Sequence, residues 1–372
     1  MLKPLCILSF LFLLSTSCTD EGDGINPEIV QDGNLYFPPI NSNNWETTSP
    51  DSLGWNTDKI QELYSFLEEK NTRAFLVLKD GKIVLEHYAG KTLIGFDFGV
   101  NSNWYWASAG KTLTAFLVGI AQEEGYLNID RPTTDYLGTG WTSLSNEQEE
   151  NIKVIHQLTM TSGLDDAKNF DCTDPECLEY LAEPGERWAY HNAPYTLLDG
   201  VIEGATSQDF NAYFEAKIAD KIGMTGFWEY VGENHVYFSD ARSMARYGLT
   251  ILNNGKWQTE TEEITLLNDE TYFNSMVNTS QNLNPSYGYL WWLNGKGAFK
   301  LPGLQLTFNE DLCQDAPADM FAAMGKNGQF LDIVPSQNLI VIRMGELPSE
   351  DFVPTTFQNE IWEKLNEVIN QN

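Results

Sequence analysis

Apolar positions mark out the secondary structure along most of the chain. Ile60, Leu63, Phe66 and Leu67 recur at helical spacing, which predicts an amphipathic helix over about 58–69. Two apolar runs, 74–78 and 83–88, follow, joined by Lys79-Asp80-Gly81-Lys82. Asp-Gly between such runs predicts a hairpin whose two central residues take positive φ. Past Trp104-Tyr105-Trp106 a second helix is expected from near Ser108. Leu113, Phe116, Leu117 and Ile120 would be its buried stripe and Gly125 its stop. From about 131 to 225 the pattern is mostly helical with long loops. A helix over 238–254 carries Met244, Tyr247, Leu249 and Ile251. Segments 287–293, 320–324, 330–334 and 339–344 read as strands. Segment 355–369 reads as a closing amphipathic helix, with Phe357, Ile361, Leu365 and Val368 on one side. Strands and helices at both ends of a helical middle predict an α+β protein. Its α/β lobe comes from 51–130 and 226–372, and a mostly helical lobe from 131–225.

The N-terminus changes the picture. Lys3 precedes an apolar stretch from Leu5 to Leu14, too short to span a bilayer as a mature helix, and then Ser15-Thr16-Ser17-Cys18. Small residues running into a Cys resemble a bacterial lipoprotein signal. The expectation is a signal peptide over 1–17, lipid on Cys18, and a polar tether over 18–50 rich in Asn, Pro, Ser, Asp and Gly. That places the protein outside the cytoplasm, anchored to the outer membrane on its periplasmic or outer face.

With 372 residues and 42% hydrophobic composition the chain can bury a large core. Lys and Arg number 22 against 53 Asp and Glu, a formal net charge of −31. Such a surface repels phosphate backbones and argues against a nucleic-acid partner. An exported chain permits disulfides. Cys172 and Cys177 flank Thr173-Asp174-Pro175-Glu176, where Pro175 favours a turn, so this pair is preferred and Cys313 is left free. Three thiols still allow three pairings. No Cys/His spacing suits a metal, and no cofactor is implied.

Three short motifs carry candidate chemistry. In Ser108-Ala109-Gly110-Lys111, helical spacing puts the lysine amine on the face of the serine hydroxyl. Serine is a weak nucleophile and needs a base, and lysine serves if burial lowers its pKa. In Tyr190-His191-Asn192 the tyrosine can move protons and the asparagine can hold a substrate amide. Two other Tyr-x-Asn copies exist, but this one lies between a Pro-Gly loop and Pro194 at a helix start. Lys326-Asn327-Gly328-Gln329 lies beside a late strand, where glycine lets substrate approach an edge closely.

In this order the three motifs resemble the active-site set of the class C β-lactamase and penicillin-binding-protein-like family, with its D-alanyl peptidases and serine esterases and amidases. His156-Gln157-Leu158-Thr159-Met160-Thr161-Ser162-Gly163-Leu164 is similar to that family's His-Leu-Leu-x-x-x-Ser-Gly-Leu segment. Pro184-Gly185 through Leu198 resembles its Pro-Gly to Tyr-Ser-Asn segment, and the likeness covers about 55–345. It implies an antiparallel sheet flanked by helices plus a mostly helical lobe, with the active site between them. Ser108 is then the nucleophile, while Lys111 and Tyr190 share base and acid work. The N–H groups of Ser108 and Gln329 form the oxyanion hole. Asn192, Lys326, Gly328 and Gln329 bind substrate, and His156 and Ser162 are structural. Two positions depart from the family pattern. His191 replaces a small residue. Asn327 replaces a Thr or Ser whose hydroxyl binds a substrate carboxylate, which weighs against a β-lactamase. The expected activity is cleavage of an ester or amide through an acyl-enzyme on Ser108. D-amino-acid peptidase and β-lactamase are the alternatives, and an inactive binding protein of the same fold is the rival from another class.

Overall fold

The computed structural model describes residues 35–347 and 351–370. The expected signal peptide and Cys18 lie outside them. Helix α1 (Ile60–Glu69) turns Leu63 and Leu67 into the core. It feeds the hairpin of β1 (Thr72–Lys79) and β2 (Lys82–Tyr88), where Asp80 and Gly81 hold φ of 51° and 82°. Strand β3 (Trp104–Tyr105) precedes a 3-10 turn, Ala107–Gly110, which opens into α2 (Lys111–Glu123). Every residue from Lys111 to Ala121 is buried. This helix therefore runs through the interior with apolar or small side chains all round, where a one-sided stripe was expected.

Short helices and loops make up most of 134–222, including α3 (Asn192–Thr196) and α4 (Leu198–Thr206), continuous through Leu197. A hairpin the sequence reading missed follows, β4 (Gly226–Val231) and β5 (Asn234–Ser239). Only Trp228 of β4 is buried while Phe227, Tyr230 and Val231 are exposed, and the strand lacks the apolar–polar alternation of a half-buried strand. Helix α5 (Ala241–Leu252) is next, capped by Asp240. Then come β6 (Trp292–Leu293), β7 (Phe321–Gly325), β8 (Gln329–Val334), β9 (Leu339–Gly345) and α6 (Thr355–Ile369). The strand expected over 287–293 shrinks to its last two residues. Gly288 accepts the chain so close to the Met276 carbonyl that a Cβ would sit 2.1 Å from it, and Leu290 takes φ of 62°. The aromatic run is a buried turn that looks like a strand because every ring in it is buried.

The main sheet has the order β2-β1-β9-β8-β7-β6, with each neighbouring pair antiparallel. Strands from the two halves of the chain thus meet at its centre, Leu76 opposite Ile342. Alternation along β8 sends Leu331 towards Gly248 of α5 on one face. On the other face Asp332 accepts hydrogen bonds from Gln358 and Trp362 of α6. Strand β3 belongs to a second, small sheet of order β3-β5-β4.

Residues 35–50, expected as tether, pack on this body. The Tyr36 amide donates to the Asp80 carbonyl at 3.0 Å. Trp45 Nε1 donates to the Gly81 carbonyl at 2.8 Å, and Arg246 Nη2 to those of Pro39 and Ser42 at 2.9 and 2.7 Å. Aromatic side chains in a polar stretch anchor it, and composition averaged over the stretch concealed them. Among the described residues no helix is long and apolar enough to cross a membrane.

Candidate active site

The three motifs converge. Two backbone features place Ser108. First, the Trp106 amide donates to the Tyr237 carbonyl at 2.8 Å and its indole to Ser239 Oγ at 2.8 Å, clamping the chain to β5. Second, Ala107 takes φ of 47°, a left-handed conformation rare for a residue with a Cβ, immediately before Ser108. The fold holds that strained residue and so presents Ser108, half-buried, at the wall of a cavity of about 510 Å³.

Lys111 lies one turn further on and is only 3% exposed. Its Nζ lies 3.7 Å from the centre of the Tyr195 ring and 5.6 Å from that of Tyr190. Burial pushes its pKa down to about 7, opposed by the carboxylates of Asp171 and Asp199. Tyr190 is buried among Trp292, Tyr287 and Phe170, and the Ser108 side chain acts on its hydroxyl. Burial raises its pKa above the ordinary phenol value, so it stays protonated at neutral pH. The lysine is therefore the group of this pair that can present a free lone pair near pH 7.

Asn192 lines the cavity and donates from Nδ2 to Asp171 Oδ1 at 2.7 Å. Its buried Oδ1 has no partner among the described residues, leaving an acceptor for a substrate N–H. Asp171 arrives on a loop closed by a disulfide between Cys172 and Cys177, whose Cα atoms are 6.0 Å apart; Cys313 is free and buried. His191 turns away from the cavity, with Nε2 3.1 Å from the Asn169 carbonyl. His156 accepts the Lys153 amide through Nδ1, and burial lowers its pKa to about 4. Ser162 Oγ accepts the Leu164 amide at 3.4 Å, so both residues shape loops at a distance from the chemistry.

The Lys-x-Gly motif needs correction. Lys326 and Asn327 line the cavity; Gly328 and Gln329 do not. Residues 326–328 form a tight turn between β7 and β8, with Asn327 and Gly328 at φ of 63° and 76°. Gly328 faces Arg343 and Phe357 on the far side. The Gln329 side chain is spent on the Gly345 carbonyl and amide at 2.7 and 3.0 Å. The backbone that meets Ser108 belongs to Gly325. A Cβ there would lie 2.5 Å from the Trp106 carbonyl and 3.1 Å from the Ser108 amide nitrogen. The strand end sits one turn earlier than the motif spacing suggested.

Tyr105, Asp171, Tyr195, Asp199 and His235 were not singled out from the sequence. Tyr105 accepts Asn327 Nδ2 at 2.8 Å. Tyr195 and Asp199 stand three and seven residues beyond Asn192 on a continuous helical path, so helical spacing from a recognised residue was a usable signal. Asp171 and His235 arrive from a loop and a hairpin, where no periodicity points to them.

Comparison with known proteins agrees with this architecture. The Beta-lactamase family model matches residues 70–353. A Salmonella paratyphi B protein named as a D-alanyl-D-alanine carboxypeptidase is 22% identical over 212 residues, 48% of this chain and 49% of that protein. The chain thus spans about half the length of the curated relatives it matches. A crystal structure from Bacteroides dorei, described as a beta-lactamase, aligns with a TM-score of 0.65 at 16% identity, over 85% of this chain and 100% of that one. A penicillin binding protein from Bacillus halodurans aligns with a TM-score of 0.58 at 19% identity, over 77% and 96%. At such identities the structural likeness speaks for the fold. With the family match over most of the chain, it follows that this protein belongs to the beta-lactamase family, on whose serine-hydrolase architecture it is built.

Proposed function

We propose that the protein hydrolyses an ester or amide through an acyl-enzyme on Ser108. The observation that carries this reading is a buried Lys111 amine one turn from Ser108 and 5.6 Å from the ring of the buried Tyr190, where burial lowers the lysine pKa to about 7. As Ser108 Oγ attacks the carbonyl carbon, its proton passes to the Lys111 amine, with Tyr190 bridging and returning a proton to the leaving group. The developing oxyanion is met by the amides of Ser108 and, because Gly325 abuts that turn, of Lys326 rather than Gln329. Asn192 Oδ1 accepts a substrate N–H or orients water, and Lys326 supplies positive charge. Leu93, Val231, Val236, Phe238 and Phe352 give the cavity apolar walls, which favours an esterase or amidase of a partly apolar small molecule. A D-amino-acid peptidase is the second reading, favoured by the cationic Lys326 in the cavity. A β-lactamase comes third, because Asn327 commits its side chain to Tyr105.

The test is a burst assay with p-nitrophenyl acetate, p-nitrophenyl butyrate and nitrocefin, read by absorbance and intact mass. The parent is expected to form an acyl adduct and turn over the two esters, while Ser108→Ala does neither. Rapid nitrocefin hydrolysis would promote the third reading. No adduct from esters or D-peptides would sink the proposal in favour of a binding protein. Export as a lipoprotein through Cys18 is proposed on the N-terminal sequence alone. Palmitate labelling that Cys18→Ala abolishes is its test.

A further inference from the structure

The cavity holds a second candidate base that the acylation scheme leaves unused. His235, on β5, lines the same cavity as Ser108 and Lys111 and is 7% exposed. Its Nδ1 lies 2.7 Å from Asp199 Oδ2, and Asp199 on α4 is likewise 7% exposed. The ring is fixed by stacking on Tyr230 at 4.5 Å and by Trp228 and Phe210 at 4.9 and 5.4 Å. Among the described residues the ring makes no other hydrogen bond. A carboxylate accepting from Nδ1 selects the Nδ1–H tautomer and leaves the Nε2 lone pair free, in a residue that borders the cavity. A base oriented by a carboxylate and bordering a cavity is an arrangement that can activate a hydroxyl or a water.

The two halves of an acyl-enzyme reaction place different demands on this site. In acylation Lys111 and Tyr190 attend the serine oxygen. In deacylation the same pair must return a proton to that oxygen, so a separate base on the open side of the cavity is useful for the incoming water. Resting on the acyl-enzyme reading above, the geometry points to His235, oriented by Asp199, as the base that activates the deacylating water. Water oxygen attacks the acyl carbon while its proton moves to His235 Nε2. The Ser108 ester C–O bond then breaks, and Oγ leaves with the electron pair and takes the Tyr190 hydroxyl proton. The proton held by His235 returns through solvent to the Tyr190 phenolate, which restores Ser108, Tyr190, Lys111 and His235 to their starting states as the acid is released. The ring itself meets Asp199 and Tyr230, and Asp199 in turn lies within electrostatic reach of Glu203 on α4, Lys111 on α2, Tyr195 on α3 and Tyr230 on β4.

The experiment compares the parent, His235→Gln, His235→Gly and Asp199→Asn with p-nitrophenyl butyrate, following burst and steady state by stopped flow and intact mass. Expected for His235→Gln is a burst of parent amplitude, acylation within about threefold of the parent, turnover lower by about 10²-fold, and accumulated butyryl adduct. Added imidazole is expected to restore deacylation in His235→Gly but not in the parent or His235→Gln. Asp199→Asn is expected to lie between parent and His235→Gln. Parent-like turnover in His235→Gln, or equal loss of burst and turnover without imidazole rescue, overturns the inference. A parent with no burst overturns the Ser108 reading itself, so the two failures are distinguishable.

Discussion

Two buried cations meet opposite fates in this molecule. Arg343, on β9, is 1% exposed and hydrogen-bonds the carbonyls of Lys70, Asn327 and Gly328 and the hydroxyl of Thr72. The Phe357 ring covers it at 5.0 Å. Lys111 is about as buried, but it rests on the face of an aromatic ring, and its nearby carboxylates act through space. A guanidinium whose donors are matched by carbonyls is scaffold; here it fixes the turn that carries Lys326. An ammonium taken out of water without such acceptors has its pKa lowered towards neutrality, which is what the proposed mechanism needs of Lys111. Burial alone does not mark a catalytic group. At Lys111 burial is joined by a place beside Ser108 on the cavity wall.

This contrast can be broken or sharpened by substitution. The largest expected effect is at Lys111. Arginine there stays protonated, so Lys111→Arg should lower the acylation rate at least ~10³-fold in the burst assay. Lys111→Met should be equally inactive yet melt a few degrees higher, about 2–5 °C by calorimetry, because a poorly satisfied buried amine is removed. An unchanged or lower Tm would mean Lys111 also stabilises the fold. Arg343→Met should do the reverse and destabilise by about 3–5 kcal/mol in urea titration, since several buried carbonyls lose their donor. A loss under 1 kcal/mol would erase the distinction between the two sites.

A smaller effect is expected in the pH profile. The neutral amine is the reactive form and its pKa is lowered to about 7, so kcat/KM for acylation should rise through pH 7 and level above it. Asp171 raises the Lys111 pKa, so Asp171→Asn should move that limb towards acid, by up to about one pH unit. A limb that moves towards base would reject the electrostatic role of Asp171. The smallest effect is expected from replacing Cys172 and Cys177 together by serine. The bridge spans a sequence separation of only 5, and its loss should loosen Asp171 and lower kcat/KM by about two- to fivefold. A drop as large as that of Lys111→Arg would place the loop inside the chemistry.

Much of this was legible in the residues. The helical spacing of Ser108 and Lys111 fixes their common face whatever the rest of the chain does. The Asp80-Gly81 hairpin and the 355–369 helix follow from local preferences in the same way. The turn at 326–328 was harder, because Lys-x-Gly reads equally as a strand edge or as a turn. Only the pairing of Gln329 with Gly325 shows that the chain reverses there. Strand β4 stayed hidden because its apolar residues Phe227, Trp228, Tyr230 and Val231 do not alternate with polar ones, and His235 came with it.

The sequence by itself determined most of the longer elements, the order of the three motifs and the helical face shared by Ser108 and Lys111, since these depend on interactions a few residues apart. Only the tertiary structure decided which backbone amide lies against Ser108, which carboxylates surround Lys111, and that His235 borders the same cavity. Those facts depend on desolvation and on contacts between segments far apart in the sequence, such as Trp106 with Ser239. No local pattern encodes them, because a lysine becomes a base only when the rest of the fold removes its water.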